Sequence, residues 1–416
     1  MKLLGALFIL ATLATGPRSY GQKLIVEDVN VITLKDKDPV SHCDVFIVDG
    51  VIEDITKHGK RKKKEEDYQL VDGSGKYLLP GYADAHVHLP DSTFLGDFFL
   101  MQLINGVTTL RSMRGEDWHL SIGEEDLVPN LVLGSKPIDK NTPLDSVDIL
   151  VDSYAKSGFD FVKVLEVTDS NVFNQLAASA KKYGIPLAGH VPHRIGLEAV
   201  CKTGIYQSAE HLGGLEKLDE MMFSMHVNRS IEANIYHCPT LDYYYSFHET
   251  PKEMRKREGV LSLPKKWINE WEGYFKQVEA EQTKEQQDKF RSQVGEYLQS
   301  RLKIVKKLHE QGGKMLVSPD ASGYYGVPGY RYGKELEHYQ EAGLDSKEIL
   351  KMACYNLFEM LGQEKERGDV KKGMKSDLIL LNDNPIDDIS KATDVHAVIL
   401  RGRYITTEDL KKKLKN

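Results

Sequence analysis

Cysteine is scarce in this sequence, charge is nearly balanced, and long apolar runs are absent after the first residues. The 416 residues include four cysteines, Cys43, Cys201, Cys238 and Cys354, without a C-x-x-C pair. This spacing argues against a zinc finger and indicates four separate, mostly buried thiols, although export would permit a disulfide. A formal net charge of -7 gives no reason to expect nucleic acid or an anionic membrane as a partner.

The one long apolar run lies at the N-terminus, at residues 3–13, and small residues at Ser19 and Gly21 precede Gln22. This pattern predicts a secretory signal peptide, residues 1–21, that is cleaved just before Gln22. The alternative is a membrane anchor, but a bilayer span needs about 20 apolar residues. We therefore expect an exported protein, periplasmic or secreted, without stable membrane insertion.

Both ends of the mature chain carry the β-branched, partly alternating pattern of strands. An Asp49-Gly50 turn between two such segments predicts a β-hairpin. We expect residues 22–79 and 365–416 to pair as one small β-sandwich beside the central region. The strand-like segments are residues 23–34, 44–48, 51–55, 378–381, 395–400 and 404–405.

The central residues 80–364 alternate short apolar runs with longer helical patterns. Such alternation predicts parallel βαβ units, and eight strands is the number that closes a barrel. The predicted fold class is therefore α/β, a (β/α)8 TIM barrel. A polar helical insertion at about residues 251–311 enlarges the seventh barrel helix, and it could cover the site or form a dimer contact. The candidate strands are residues 82–89, 107–112, 131–134, 161–165, 185–190, 206–211, 236–241 and 314–318.

The segment Asp84-Ala-His86-Val-His88 carries two histidines on the first predicted barrel strand. Residues two apart point to the same side of a strand, so both imidazoles would project into the barrel. Two histidines on one face can bind a metal ion together. An isolated H-x-H pattern, however, more often marks two partly buried histidines.

Lys163 lies in the middle of the apolar strand segment 161–165. Burial disfavours the ammonium form and lowers its pKa, so the neutral amine can react with carbon dioxide to give a carbamate. The carbamate is an anionic oxygen ligand that can bridge two metal ions. The alternative is a lysine whose tip reaches solvent or pairs with a carboxylate.

His190, His211 and Asp320 each end a different predicted strand, the fifth, sixth and eighth. The C-terminal ends of barrel strands converge on the active face, so these residues and the three above would meet there. One carbamate and one carboxylate offset two of the four positive charges of two divalent ions, and a metal-bound hydroxide would offset another. The pattern therefore predicts a metal centre.

The segment Pro80-Gly-Tyr-Ala-Asp-Ala-His-Val-His88 resembles the first-strand signature of the amidohydrolase superfamily. Residues 335–344 resemble its last barrel helix, and residues 368–378 resemble its return into the β-sandwich. Within the superfamily the chain is most similar to the imidazolonepropionase-like branch, which includes metal-dependent Xaa-Pro, or prolidase-like, dipeptidases.

Two departures from the family pattern lie near the expected substrate. Ser112 follows Arg111 where the family often has Arg-Asp, and the third-strand region before Ser146 is short. These changes affect the identity of the substrate rather than the expected metal centre.

The resemblance implies a binuclear centre, for which zinc suits the ligands best, although manganese, iron or cobalt could occupy it. A metal-bridging hydroxide would attack an amide or peptide C–N bond, and Asp320 would pass its proton to the leaving nitrogen. The implied ligands are His86, His88 and Asp320 for one ion and His190 and His211 for the other, with Lys163 bridging as N6-carboxylysine.

Other residues near the predicted opening are candidates for contact with the substrate. His237 and one of the tyrosines Tyr243 and Tyr244 could stabilise the oxyanion, but aromatic packing under the insertion explains the tyrosines equally well. His193, three residues after His190, is a candidate for supporting the metal ligands or for binding the substrate. Arg111 could bind a substrate carboxylate or form a structural ion pair.

The leading hypothesis is an exported dipeptidase, or a related hydrolase of C–N bonds, acting on a dipeptide or another small molecule. The alternatives are hydrolysis of a cyclic amide or imidazolone-type ring and a catalytically silent metal-binding protein. The carboxylate of Asp320 argues against the silent protein, because a scaffold without turnover does not need a proton shuttle. A homo-oligomer is compatible with the sequence, which does not fix the oligomeric state.

Overall fold

The structure, a computed structural model, describes residues 23–34, 38–60, 67–124 and 127–414. The predicted signal peptide, residues 1–21, lies outside the described residues, so export stays a prediction. Within these ranges no helix is both long and apolar enough to cross a membrane. All four cysteines are free thiols, three of them buried.

The described residues form strands at both ends of the chain and alternating strands and helices between them. The strands are β1 Lys23–Val31, β2 Val40–Val48, β3 Val51–Lys57, β4 Gln69–Asp72, β5 Tyr77–Pro80, β6 Tyr82–Val87, β7 Val107–Ser112, β8 Asn130–Leu133, β9 Val162–Val164, β10 Leu187–Gly189, β11 Tyr206–Glu210, β12 Tyr236–Cys238, β13 Lys314–Met315, β14 Leu378–Leu381, β15 Val395–Leu400 and β16 Arg403–Thr406. The helices are α1 Leu95–Ile104, α2 Val147–Ser157, α3 Ser170–Tyr183, α4 Gly196–Lys202, α5 Glu220–Glu232, α6 Leu241–Tyr245, α7 Pro251–Met254, α8 Lys265–Glu281, α9 Lys284–Glu310, α10 Tyr330–Glu341, α11 Ser346–Lys351, α12 Leu357–Met360 and α13 Thr407–Leu414.

The central strands β6 to β13 form a parallel barrel. Hydrogen-bonded neighbours run in the orders β6-β7-β8 and β9-β10-β11-β12-β13. A parallel bridge between Gly134 and Phe161 joins the two groups. On the other side the backbone N–H of Ala85 in β6 donates to the carbonyl of Val317, 3.1 Å away, just after β13. The predicted TIM barrel is confirmed.

The barrel helix α3 begins and ends where the sequence supplies caps. The carboxylate of Asp169 accepts the backbone N–H of Asn171 at the start of α3, and the helix ends at Gly184, whose φ of 69° is left-handed. The buried face of α3 repeats every three or four residues, the spacing that places side chains on one side of a helix. That face consists of Val172, Phe173, Leu176, Ser179 and Ala180.

The two ends of the chain form one sheet with the strand order β16-β15-β14-β5-β1-β2-β3, in which β4 also pairs with β1. The predicted hairpin is present, because Val48 of β2 pairs with Val51 of β3 across Asp49 and Gly50. The edge strand β3 also bridges to Lys375, just ahead of β14, so the sheet folds back over a core of its own. The expected β domain built from both chain ends is confirmed.

The polar insertion forms a helical hairpin from α8 and α9. The second half of α9 packs against the barrel through the buried side chains Leu298, Arg301, Leu302, Val305 and Leu308. In α8 the single buried side chain is that of Phe275. The long helix α9 therefore connects the exposed hairpin to the wall of the barrel.

Candidate metal centre

The carboxyl ends of the barrel strands open into a cavity of about 340 Å³. The structure brings all six predicted metal ligands to this one cavity. Its lining consists of His86, His88, Lys163, His190, His211 and Asp320, together with Met113, Arg114, Pro137, Leu165, Tyr243, Tyr244 and Ser322.

The histidine rings pack closely around Asp320. The ring centroid of His86 lies 5.3 Å from that of His88 and 4.8 Å from that of His211, which lies 5.0 Å from His190. Carboxylate oxygens of Asp320 lie 3.8 Å from Nε2 of His86 and 3.6 Å from Nε2 of His88. Imidazole nitrogens and a carboxylate oxygen at these separations fit a divalent transition metal.

Side-chain oxygen atoms of Glu210 and Thr240 orient the rings of His86 and His211. Nδ1 of His86 lies 2.8 Å from Oε2 of Glu210, and Nδ1 of His211 lies 2.7 Å from Oγ1 of Thr240. Because Thr240 donates its own proton to the carbonyl of Pro239, its oxygen accepts from the ring of His211. Each ring then has Nε2 available for a metal ion, the usual arrangement at metal sites.

The backbone turns sharply at two of the ligands. His211 and Asp320 have left-handed φ values of 60° and 43°, which are unfavourable for residues with a side chain. The N–H of His211 donates to the carbonyl of Cys238, and that of Asp320 donates to Oγ of Ser318. Local strain of this kind is retained at functional sites, where the surrounding contacts hold it.

Lys163 lies on β9 inside the barrel, with its side chain almost fully buried. Burial lowers the pKa of its amine to about 8, against the opposing charge of Glu210. Within the described part of the chain the amine makes no hydrogen bond, while the backbone N–H bonds to Oγ of Ser135 at 3.2 Å. A lysine in this position loses its proton more readily than one in water.

Asp320 is surrounded by hydroxyl groups. Oγ of Ser322 donates to Oδ1 of Asp320 at 2.7 Å. Oγ of Ser318 donates to the carboxylate of Asp84, which links the loop of Asp320 to β6. Burial raises the pKa of Asp320 to about 6, although the hydrogen bond from Ser322 and the charge of Lys163 act in the opposite direction. A carboxyl group with this pKa can both accept and release a proton near neutral pH.

Arg111 does not reach the cavity, which corrects its predicted role as a ligand for a substrate carboxylate. Its side chain is fully buried; Nη1 donates to Oε1 of Glu210 at 3.3 Å and Nη2 donates to Oγ of Ser208 at 2.9 Å. The guanidinium also stacks on Phe161, 4.4 Å from the ring centroid. Arg111 is therefore the structural ion pair of the alternative interpretation, because its position within β7 keeps the side chain below the strand ends.

His237 and His193 also lie outside the cavity, contrary to their predicted contact with substrate. His237 sits inside the barrel on β12, fully buried, and burial lowers its pKa to about 4. Neither ring nitrogen of His237 has a hydrogen-bond partner within the described residues. His193 is exposed after β10, and its backbone N–H donates to the carboxylate of Glu166 at 3.0 Å. His237 is buried within the barrel, and His193 lies in the loop after β10 without lining the cavity.

The tyrosines of α6 do line the cavity. The ring of Tyr243 lies 6.5 Å from that of His211 and 5.3 Å from that of Tyr244. The guanidinium of Arg301 lies 3.9 Å from the centroid of the Tyr244 ring. At the start of α6 the buried carboxylate of Glu335 accepts the first two backbone N–H groups, at 3.0 and 2.7 Å. These contacts hold both tyrosines at the edge of the metal ligands.

The sequence interpretation missed Glu210 and Arg301, which hold two of the candidate metal ligands in position. Glu210 directly precedes His211, and an acidic residue next to a candidate histidine ligand at the end of a strand was the available signal. Arg301 donates to the carbonyl of His211 at 3.1 Å and to that of Pro239 at 2.7 Å. An arginine on the apolar face of α9 was the corresponding signal there.

Residues 149–405 match the family described as Amidohydrolase family. The chain belongs to the amidohydrolase family. It is therefore a metal-dependent hydrolase that acts on carbon–nitrogen bonds. The matched range includes Lys163, His190, His211 and Asp320, whereas His86 and His88 precede it.

Solved structures of other amidohydrolases share the fold. A Xaa-Pro dipeptidase with bound methionine superposes with a TM-score of 0.71 at 19% identity, over 92% of this chain and 100% of that one. Bottromycin amidohydrolase superposes with a TM-score of 0.74 at 21% identity, over 94% of this chain and 88% of that one. A putative prolidase from Bifidobacterium longum superposes with a TM-score of 0.70 at 19% identity, over 95% of this chain and 99% of that one. Prolidase-like enzymes are thus among the structures that this amidohydrolase resembles, as its sequence predicts.

Proposed function

We propose that this amidohydrolase is a binuclear metal-dependent dipeptidase. The observation that carries the proposal is the convergence of six potential ligands, from the ends of five barrel strands, on one cavity of about 340 Å³. Four imidazoles, one carboxylate and one buried lysine exceed the ligand set of a single tetrahedral ion. Two ions use all six.

The ligands divide naturally between two positions. Asp320 lies between His86 and His88, within 3.8 Å of a nitrogen of each, and His190 neighbours His211. When bound, the ions would supply a hydroxide nucleophile at neutral pH and would polarise the substrate carbonyl. Zinc is the proposed metal because imidazole and carboxylate donors suit it.

Lys163 is proposed to bridge the two positions as N6-carboxylysine. The buried ammonium would first lose one proton, and the neutral amine would then attack carbon dioxide. An N–C bond would form as one C=O π bond opens, and the nitrogen would lose a second proton, so that a buried cation becomes an anionic carbamate. The pKa of about 8 makes the neutral amine accessible at physiological pH. An anionic Lys163 would also remove the cost of placing an ammonium group beside two divalent cations.

The protein supplies the remaining groups for hydrolysis. A carboxylate oxygen of Asp320 would accept the proton of the nucleophile and pass it to the leaving nitrogen. The hydroxyls of Tyr243 and Tyr244 make no hydrogen bond within the described chain, so either can donate to the oxyanion that forms on the carbonyl. Burial raises the pKa of both phenols, which therefore keep their protons.

The size of the cavity favours a dipeptide over a longer chain. A volume of about 340 Å³ lies at the small end of ligand pockets. We also propose that the enzyme acts outside the cytoplasm, because residues 1–21 have the pattern of a cleaved signal peptide. N-terminal sequencing of the mature protein should begin at Gln22, and a chain that retains Met1 would contradict export.

Turnover of a dipeptide library tests the proposed activity. The zinc-loaded protein should release free amino acids from a defined set of dipeptides, and chelation followed by dialysis should abolish the release. Zinc should then restore it. A protein shown to hold two metals per chain that cleaves no dipeptide would contradict the proposal, and cleavage of cyclic amides instead would identify the alternative reaction.

A further inference from the structure

Arg114 is a cationic side chain that lines the metal cavity outside the proposed ligand set. It follows β7 by two residues and is exposed. Within the described part of the chain its guanidinium makes no ion pair and no hydrogen bond to another residue. A fork of N–H donors that faces a substrate-sized cavity without a protein partner is available for an anionic ligand.

The position of Arg114 contrasts with that of Arg111, three residues earlier. Arg111 is fully buried, and its donors are bonded to Glu210 and Ser208. Releasing it to bind a substrate would leave the buried carboxylate of Glu210 without its cationic partner, which is strongly unfavourable. Arg114 lies beyond the end of the strand and can bind an anion without breaking any contact.

The walls of the cavity differ on its two sides. Met113, Pro137 and Leu165 follow β7, β8 and β9, and they line the cavity on the same side of the barrel as Arg114. The opposite side of the barrel, after β12 and β13, contributes the hydroxyls of Tyr243 and Ser322. A ligand that spans the metal ligands therefore meets a cationic, otherwise apolar wall at one end and a hydroxyl-lined wall at the other.

We propose that Arg114 is a specificity-determining residue that binds the C-terminal carboxylate of the substrate. Met113, Pro137 and Leu165 then accept the apolar side chain of the same C-terminal residue. This inference rests on the proposed dipeptidase function and narrows it to substrates with a free carboxylate and an apolar leaving residue. The N-terminal residue lies on the side of the tyrosines.

The test compares ligands with and without the carboxylate. Binding of L-leucine and of L-leucinamide is measured by calorimetry on zinc-loaded wild type, Arg114→Gln and Arg114→Lys. Wild type should bind L-leucine more tightly than L-leucinamide. Arg114→Gln should weaken the binding of L-leucine about 10- to 100-fold, because one charge-assisted interaction is lost. The same substitution should leave the binding of L-leucinamide almost unchanged. Arg114→Lys should lie between them, since it keeps the charge and loses the fork.

Arg194→Gln is the matched control, because Arg194 is an exposed arginine in the loop after β10 that does not line the cavity. It should bind both ligands like wild type, and all variants should hold equal amounts of zinc. Any direct contact of leucine with zinc is common to all variants and cancels in the comparison. Equal losses for leucine and leucinamide in Arg114→Gln, or no loss for leucine, would overturn the proposal.

Turnover separates this inference from the proposed activity. For a dipeptide such as alanyl-leucine, Arg114→Gln should raise KM by a similar factor and change kcat little, and the amidated dipeptide should show no such penalty. A wild type that cleaves no dipeptide but still discriminates leucine from leucinamide through Arg114 would disprove the dipeptidase and leave the carboxylate site standing.

Discussion

Nδ1 of His86 lies 2.8 Å from a carboxylate oxygen of Glu210, and both side chains are almost completely buried. The other oxygen of Glu210 bonds to Ser208 and Arg111. The contact therefore fixes the ring of a proposed metal ligand to the floor of the barrel. Contacts of this kind set both the orientation and the basicity of metal-bound histidine.

Glu210→Gln should weaken the binding of metal about 10- to 100-fold, because the ring of His86 loses its charged partner. Metal titration with a competing chelator measures the change. Ser208→Ala is the control, since it removes the hydroxyl at the other oxygen of Glu210 and leaves the contact with His86. If Glu210→Gln holds metal as tightly as the control, the proposed orienting role is wrong.

Asp320→Asn should lower kcat by about 10²- to 10⁴-fold, because the amide cannot carry a proton from the nucleophile to the leaving group. The comparison uses protein with its metal content measured, so that loss of metal is not mistaken for loss of proton transfer. Ser322→Ala removes the hydrogen bond to Asp320 and keeps the carboxylate, and it should retain most of the activity. Turnover near the wild-type rate in Asp320→Asn would exclude the shuttle.

Arg301→Ala should destabilise the fold by about 2 to 4 kcal/mol and also lower activity. The side chain is fully buried and donates to the carbonyls of His211 and Pro239. Its removal would leave the carbonyl of His211 without a donor and that of Pro239 with only the hydroxyl of Thr240. Chemical denaturation and kinetics report the two effects. Arg255 forms a solvent-exposed ion pair with Glu272 of α8. Arg255→Ala should lower the free energy of unfolding by less than about 1 kcal/mol. Similar effects of the two substitutions would contradict the link between α9 and the site.

His338 should make stability depend on pH. Burial lowers its pKa, but the hydrogen bonds to Asp242 and Glu341, and then the charges of Asp242 and Glu335, raise the pKa to about 9. The ring also stacks on Tyr245 of α6 at 3.6 Å. The charged ring therefore contributes stability that is fully present below its unfolded pKa of about 6.5 and is lost as the pH rises through about 9.

The His338→Gln variant isolates this contribution. The difference in free energy of unfolding between wild type and the variant should be largest at pH 6 and should shrink by pH 9.5. Titration of the metal ligands is common to both proteins and cancels. Arg331 faces the same carboxylate of Asp242 and stays charged throughout, so it does not add to the change. The buried carboxyl of Glu335, whose pKa burial raises to about 8, titrates in both proteins within this range. A constant difference across this range would show that His338 is not charged in the folded protein.

The architecture and the convergence of the candidate metal ligands on one cavity could be predicted, because both depend on position along a strand. The bounds of β14 and β15 agree with their apolar runs, since strands whose side chains are mostly buried are largely apolar. The short strands β4 and β5 escaped prediction. They form by pairing with β1, many residues away, and their own sequences carry little strand pattern.

The depth of a side chain inside the barrel could not be predicted in the same way. Arg111 and His237 lie on the strands that lead to the site, yet both point below the cavity, whereas Arg114 lies past the end of β7 and lines it. A difference of three residues along the chain decides whether an arginine is buried beneath the metal ligands or lines the cavity. The pairing of His86 with Glu210 likewise joins residues 124 positions apart, which a single sequence does not reveal.

The central claim is a pair of metal ions bridged by a carboxylated Lys163, and a crystal structure of the zinc-loaded protein grown with bicarbonate tests it most directly. Anomalous scattering should show two zinc peaks per chain, one beside His86 and His88 and one beside His190 and His211. Electron density should extend from Nζ of Lys163 as a planar carbamate between them. A single zinc peak, or two peaks beside an unmodified lysine amine, would contradict the account.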